Sequence, residues 1–358
     1  MNARERFLVA LDGGEPDRVP RALDCGYIDV QSVVPPGWRW TGDDGLPVDI
    51  QFVRLAPSPQ DKALHDLALP FPPDTRLGTP EQAANYARWR YHPELPQRRN
   101  PLARAQSLDD LRSFPFPGVR TPYYVEGLDE QVRELHEQGL AVGGGLPHLG
   151  GELFETAWRL RGLENLLLDM VERPEWADLL LDRLVDMARR NAETLARAGI
   201  DVLALHDDVG MPKTMIVSPA TWRRFLKPRM ADLIRSARAI QPDLRVLYHS
   251  DGYFEPILDD LIEIGVQAIH PVQPEHMDAG RIRSRYGSQL ALWGTVGHQW
   301  AFQWAKPEEI RREVRHRVET LGRAGLILCP AYDLDDASPA SGRNVAAFLE
   351  AAAVYGAG

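Results

Sequence analysis

Cysteine is scarce: the 358 residues hold two, Cys25 and Cys329. Two cysteines cannot build a disulfide framework, and no Cys-x-x-Cys pair is available for a redox or zinc-ribbon site. Lysine is scarce as well, four of the 41 basic residues, a bias that reads as coding composition. Positive charge is in deficit, with 51 acidic residues and a net charge of −10. A chain whose main task is gripping nucleic acid or an anionic membrane is thereby disfavoured. Long apolar runs are missing. Even LLLDRLVDMA is interrupted by charges, far short of the roughly 18 residues a membrane helix needs. The opening MNARERFLVALDGGEPDR lacks the apolar core of a signal peptide, so a cytoplasmic protein is expected. Among nucleotide signatures, GGGLPHLGGE has neither the Rossmann spacing nor the Lys-Ser/Thr ending of a phosphate loop. A serine nucleophile elbow and a His-Glu-x-x-His helix are absent too.

What is present is a globular composition, 44% hydrophobic and 26% charged, and from residue 140 an alternation of short apolar runs with amphipathic segments. The runs are AVGGGLP (141–147), DVLALHDDVG (201–210), RVLYHSDG (245–252), AIHPVQP (268–274), LALWGTVG (290–297) and LILCPAYD (326–333). Each ends in Gly, Pro, His or Asp, where a strand hands over to a loop. Between them lie helical patterns, one opening at Ser218-Pro219 as cap and first helical residue and kinked at Pro228. Glycines 199, 265 and 325 fall where helices should stop. Two further strands, RVPRALDCGY (18–27) and VDIQFVRL (48–55), complete eight β/α units. The expected fold is therefore α/β, a single (β/α)8 barrel spanning 1–358. A proline- and aromatic-rich excursion over 56–123 should cover one end, with helix only around EQAANYARWR and SLDDLRS. Trp38, Trp40, Trp89 and Tyr91 hint at an apolar or aromatic ligand, or at anchors for that loop.

Barrel active sites lie at the carboxyl ends of the strands, and His148, His206, His249, His270 and His298 all fall there. His249-x-Asp251 presents two metal-capable groups to one face of a strand. Cys329 ends the last strand, so imidazole, carboxylate and thiolate can meet around zinc; alternatively His249 and Asp251 bond each other and Cys329 is a core residue. His206 and Asp208 share a face. Asp208, and to a lesser degree Asp207, suits proton transfer or substrate contact, or else a turn and helix cap. His270, Gln273 and Glu275 sit on a proline-stiffened loop fit for positioning substrate, with His276 and Asp278 beyond. Trp293, Tyr332, Asp333 and Glu152 complete the candidates.

The stretches RERFLVALDGGEPDRVP, WRLRGLENLLLDMVERPEWADLLLDRL, YHSDGYFEPILDDLIEIGVQAIHPVQPEHMD and LALWGTVG resemble the uroporphyrinogen decarboxylase superfamily. That resemblance implies the same single barrel. The decarboxylases of the family carry Arg-Gln-Ala-Gly-Arg near the N-terminus to grip the porphyrinogen carboxylates, whereas ALDCGYIDV stands here; porphyrinogen decarboxylation is not expected. The chain is more similar to the branch of zinc-dependent methyltransferases, which use His-x-Cys and a distant Cys. By position the resemblance implies His249, Asp251 in place of the first cysteine, and Cys329 as zinc ligands, with Asp208 or Glu275 as a fourth ligand or proton carrier. The activity it implies is methyl transfer between a small methylated compound and a corrinoid. Cobalamin would arrive on a separate partner protein, because no Asp-x-His-x-x-Gly signature is present. A homodimer is the default assembly. Two alternatives stand beside this reading: a metal-free lyase on a small carboxylated substrate, with Asp208 and His249 managing the proton, and a non-catalytic ligand-binding barrel.

Overall fold

The structure is a computed structural model, and it describes the chain except residues 27, 43–44, 56–99, 115–125, 147–150, 333, 335–338 and 358. The expectations for EQAANYARWR, Trp89, Tyr91, His148 and Asp333 lie outside the described residues. SLDDLRS does form a helix, Leu108–Ser113, capped by Ser107.

Among the described residues seven strands run parallel and in sequence order: β1 Ile50–Arg54, β2 Ala141–Gly145, β3 Val202–His206, β4 Arg245–His249, β5 Ala268–His270, β6 Ala291–Trp293 and β7 Leu326–Ile327. The six apolar runs after residue 140 became β2 to β7, and VDIQFVRL became β1. A parallel neighbour can only be reached by a crossover, and the amphipathic segments supply it. Pro174–Ala198, the longest, buries Trp176, Leu180, Leu184, Ala188 and Leu195 and packs on Lys227–Ile240. Each such leucine contributes about 1.5–3 kcal/mol on burial.

The boundaries follow local chemistry. Ser218 accepts the Thr221 N–H at 3.0 Å and Pro219 takes the first helical position. Pro228 does more than kink that segment: it splits at Leu226 into Pro219–Phe225 and Lys227–Ile240. Gly199 follows Ala198 in the left-handed region, at φ 83. The stop expected at Gly325 falls instead at Gly322, directly after Leu321. Ser218→Ala should lower stability by about 1 kcal/mol, the usual effect of losing such a cap, and urea unfolding would show it as a lower midpoint at unchanged slope.

Inside the curled sheet the alternation of strand side chains produces a layer of Ile50, Ala141, Val202, Ala204, Leu247, Ala268, Ala291 and Ile327. The alanines leave room for Phe7, on helix Ala3–Leu11, to enter and meet Trp293 edge-on at 5.1 Å between ring centroids.

The run at 18–27 does not become a regular strand, because Pro20 has no N–H to continue a ladder. It still spans the two sheet edges. The Ala22 N–H donates to the Leu328 carbonyl, the Leu328 N–H to Pro20, and the Asp49 N–H to Arg21, each at 2.9 Å. The fully buried Asp49 carboxylate secures this seam. It accepts from Arg6 at 2.9 Å and from Arg18 and the Arg21 N–H at 2.8 Å. Among the described residues no helix is long and apolar enough to cross a membrane.

Candidate active site

The strand register builds the centre of the site. His206 lies opposite His249 and His249 opposite His270, so three adjacent strands place three imidazoles in one row. The rings stack with centroids 4.8 Å and 5.0 Å apart, close to the 4.7–4.9 Å spacing of neighbouring strands. His249 Nδ1 is 2.8 Å from His270 Nδ1. His270 is buried, and burial followed by the neighbouring His249 holds it well below the usual histidine range, so it is neutral. Gly294, at φ 77, makes room for it: a Cβ there would lie 2.6 Å from His270 Cδ2.

On the other flank stands Cys25, carried there by the segment that bridges the sheet edges. Its Sγ is 3.4 Å from His249 Nδ1. Spacing within the sequence gave no sign of this proximity. The available signal was positional: Cys25 lies at the end of the run 18–27, as the five histidines lie at the ends of theirs.

The loops after β3 and β4 cross closely at Gly210 and Gly252, where any side chain on Gly210 would lie 2.2 Å from the Asp251 carbonyl. This crossing joins the two aspartates. Asp208 Oδ1 accepts the Asp251 N–H at 2.8 Å and lies 3.7 Å from His249 Nε2. Gln273 clamps the arrangement, donating to Asp251 Oδ1 at 2.9 Å and accepting the Gly252 N–H at 2.7 Å. Two sets of donor atoms share His249: Cys25, His206 and His249, and Asp208, His249 and Asp251. Within each set the atoms lie within 4.8 Å of one another. Thiolate, imidazole and carboxylate are the donors zinc takes, so these residues fit the metal that the family resemblance implies.

A cavity of about 180 Å³ opens on this floor, lined by His249, Asp251, His270 and Tyr332 and by the segment from His298 to Gln303. Glu275 holds its wall together, accepting the Tyr332 hydroxyl and the Gln299 N–H, both at 2.7 Å. Burial would raise the Glu275 carboxyl, but these donors outweigh it and hold the group below the usual range. Tyr332 is pushed up, first by burial and then by the carboxylate. Both are therefore fixed in their ordinary protonation states, with Glu275 engaged at each oxygen.

Three of the expected site residues lie away from the cavity surface. Cys329 is fully buried among interior residues, its Sγ 3.9 Å from His270 Nε2, and it belongs to neither donor set because the His270 ring lies between it and His249. Asp207 cannot touch a substrate in the cavity. It alternates to the face opposite His206 and Asp208, where it accepts the Phe154 and Glu155 N–H groups at 3.0 Å, and burial pushes it up to about 7. Trp293 is wholly buried, packed beneath His270 against Phe7 and Phe52. The remaining candidates, His206, Asp208, His249, Asp251, His270, Gln273, Glu275, His298 and Tyr332, gather around the floor and wall. His298 turns Nδ1 to the Gln299 carbonyl at 2.8 Å.

Two buried glutamates surround the end of β3. Glu152, raised far above its usual range by burial and then by Asp207, accepts the His206 N–H. Glu155 pairs one oxygen with Arg159, while its buried Oε2 has no hydrogen-bond partner. Burial raises Glu155, as does Asp208, whereas Arg159 and His249 oppose the rise.

A parallel sheet with chemistry-bearing side chains at its carboxyl ends defines an α/β enzyme class, and the comparison with known proteins says which. The pattern that defines the uroporphyrinogen decarboxylase (URO-D) family matches residues 89–355, and the chain belongs to that family. Among its relatives, the methylcobamide:CoM methyltransferase MtaA of Methanosarcina barkeri is 24% identical over 192 residues, 53% of each chain. The chloroplastic uroporphyrinogen decarboxylase of Zea mays is 22% identical over 258 residues, 71% of this chain and 62% of that protein. The match thus spans about half the length of the first of these curated relatives. A methyltransferase from Methanosarcina mazei shares the fold, with a TM-score of 0.62 over 98% of both chains at 18% identity.

Proposed function

We propose that this protein is a zinc-dependent methyltransferase, moving a methyl group between a small methylated compound and a corrinoid carried by a separate protein. The observation that carries the reading is the set of thiol, imidazole and carboxylate donors meeting at His249 on the floor of a small cavity. The likeness to MtaA supports it. We read the seven strands and the bridging segment at Pro20–Ala22 as one closed (β/α)8 barrel and one domain.

Zinc, when bound, supplies a Lewis acid toward the heteroatom that gives up or receives the methyl group. The chain does the rest. Asp208, 3.7 Å from His249 Nε2, is placed to hold or release the proton of that heteroatom. Phe302 and Trp300 line the cavity with apolar surface, which keeps water from the methyl group. Gln273 fixes Asp251, and Glu275 fixes Tyr332, so the floor and wall need little reorganisation. About 180 Å³ is below the ~300–1,000 Å³ of pockets for drug-sized ligands. A tetrapyrrole does not fit that volume, and no lysine or arginine occurs among the described residues lining it.

The test is to incubate zinc-loaded protein with methylcobalamin and a panel of small thiols, alcohols, ethers and amines, following the cobalamin spectrum. Demethylation above the rate without protein is expected with at least one acceptor. Unchanged spectra across the panel, together with carbon dioxide release from a small acid, would replace this reading with the lyase.

A further inference from the structure

We propose that the metal of this site is held by Cys25, His206 and His249, an S,N,N set drawn from the N-terminal segment, β3 and β4, and not by the His249, Asp251 and Cys329 set that the family resemblance implies. The inference rests on the metal-dependent reading above and specifies its ligands.

Distance is the first argument. Two ligands of one tetrahedral zinc, with Zn–S near 2.3 Å and Zn–N near 2.0–2.1 Å, stand about 3.5 Å apart. Cys25 Sγ and His249 Nδ1 are 3.4 Å apart, and all three donor atoms are within 4.8 Å of one another. Cys329 enters neither of the two donor sets: its Sγ lies 3.9 Å from His270 Nε2.

The competing carboxylate set is weaker for a chemical reason. Asp208 Oδ1 already accepts the Asp251 N–H, and Asp251 Oδ1 already accepts from Gln273. These oxygens are working as loop clamps. Asp251 is also exposed, whereas Cys25 is 4% exposed, so the thiol set sits where water competes less for the ion.

Glu155 adds a buried carboxylate close to His249. It is 6% exposed, and its Oε2 is buried without a hydrogen-bond partner. Its backbone N–H is bonded to Asp207, one residue from Asp208. Its other carboxylate oxygen is paired with Arg159, and His249 lies within its electrostatic reach. Three protein ligands also leave one position of a tetrahedral ion open, the pattern of catalytic zinc sites, and His249 lines the cavity where a substrate would take it.

The experiment uses the full chain stripped of metal, titrated with cobalt(II) and then with zinc against a chromophoric chelator. Wild type should give the near-ultraviolet thiolate-to-cobalt band and bind zinc in preference to magnesium, as a set containing sulfur and nitrogen does. Cys25→Ser should lose the band and bind zinc at least about 100-fold more weakly, beyond the 10–100-fold that outer-sphere changes produce. Cys329→Ser should keep both. Circular dichroism of the metal-free variants checks folding, and the wild-type band is informative whether or not a variant folds. Zinc binding by wild type with no thiolate band, or loss of zinc in Asp251→Asn with retention in Cys25→Ser, overturns the S,N,N assignment and leaves the methyltransferase reading standing. No zinc or cobalt bound by wild type overturns both.

Discussion

Asp49→Ala should destabilise the protein by about 3–5 kcal/mol, the range for leaving buried charge unpaired. That is a large share of the ~5–15 kcal/mol that holds a typical domain together. The size follows from what the carboxylate holds: the Arg6 and Arg18 guanidiniums, themselves 5% and 9% exposed, and the Arg21 N–H. Arg18 and Arg21 belong to the segment that bridges β7 and β1, which runs on to Cys25. The variant should therefore lose metal affinity together with stability, though Asp49 is not among the residues lining the cavity. Urea unfolding of metal-free protein measures the first effect, and a loss under about 1 kcal/mol would show that the seam does not need the charge.

His249→Ala is expected to abolish methyl transfer and to weaken zinc binding by at least about 100-fold, while the fold persists. The residue is shared by both candidate donor sets and lines the cavity, so no choice between the sets protects the site from its loss. The persistence of the fold follows from its place at the end of β4, where the imidazole meets Cys25 and His270, other side chains of the site. Zinc stoichiometry and the cobalamin assay are read on the same preparation. Wild-type values in both would move the chemistry elsewhere in the molecule.

Much of this was legible in the chain. An apolar run followed by an amphipathic segment leaves few folds to choose from, and the six runs after residue 140 became strands in order. Period-two alternation paired His206 with Asp208 on one face and turned Asp207 to the other, so the parity rule, strictly applied, distinguishes the two aspartates. What the sequence could not show was which strand ends meet across the curled sheet. Cys329 follows β7 and Cys25 lies on the bridging segment, so both reach the histidine row, one beneath His270 and one beside His249. Their difference depends on ring positions set by register. Trp293 illustrates the same limit: it points inward as a strand-end residue should, but Phe7 and His270 enclose it. The expected strand at 18–27 was lost to the missing N–H of Pro20, while its bridging place was kept by three hydrogen bonds.

The even spacing of the three imidazoles belongs to the backbone ladder, not to histidine. Positions 206, 249 and 270 therefore act as sockets at a constant pitch, into which other donors can be fitted without redrawing the scaffold. His206→Asp would retune the preference for hard or soft ions without moving the strands, which makes the row a starting point for redesigned metalloenzymes.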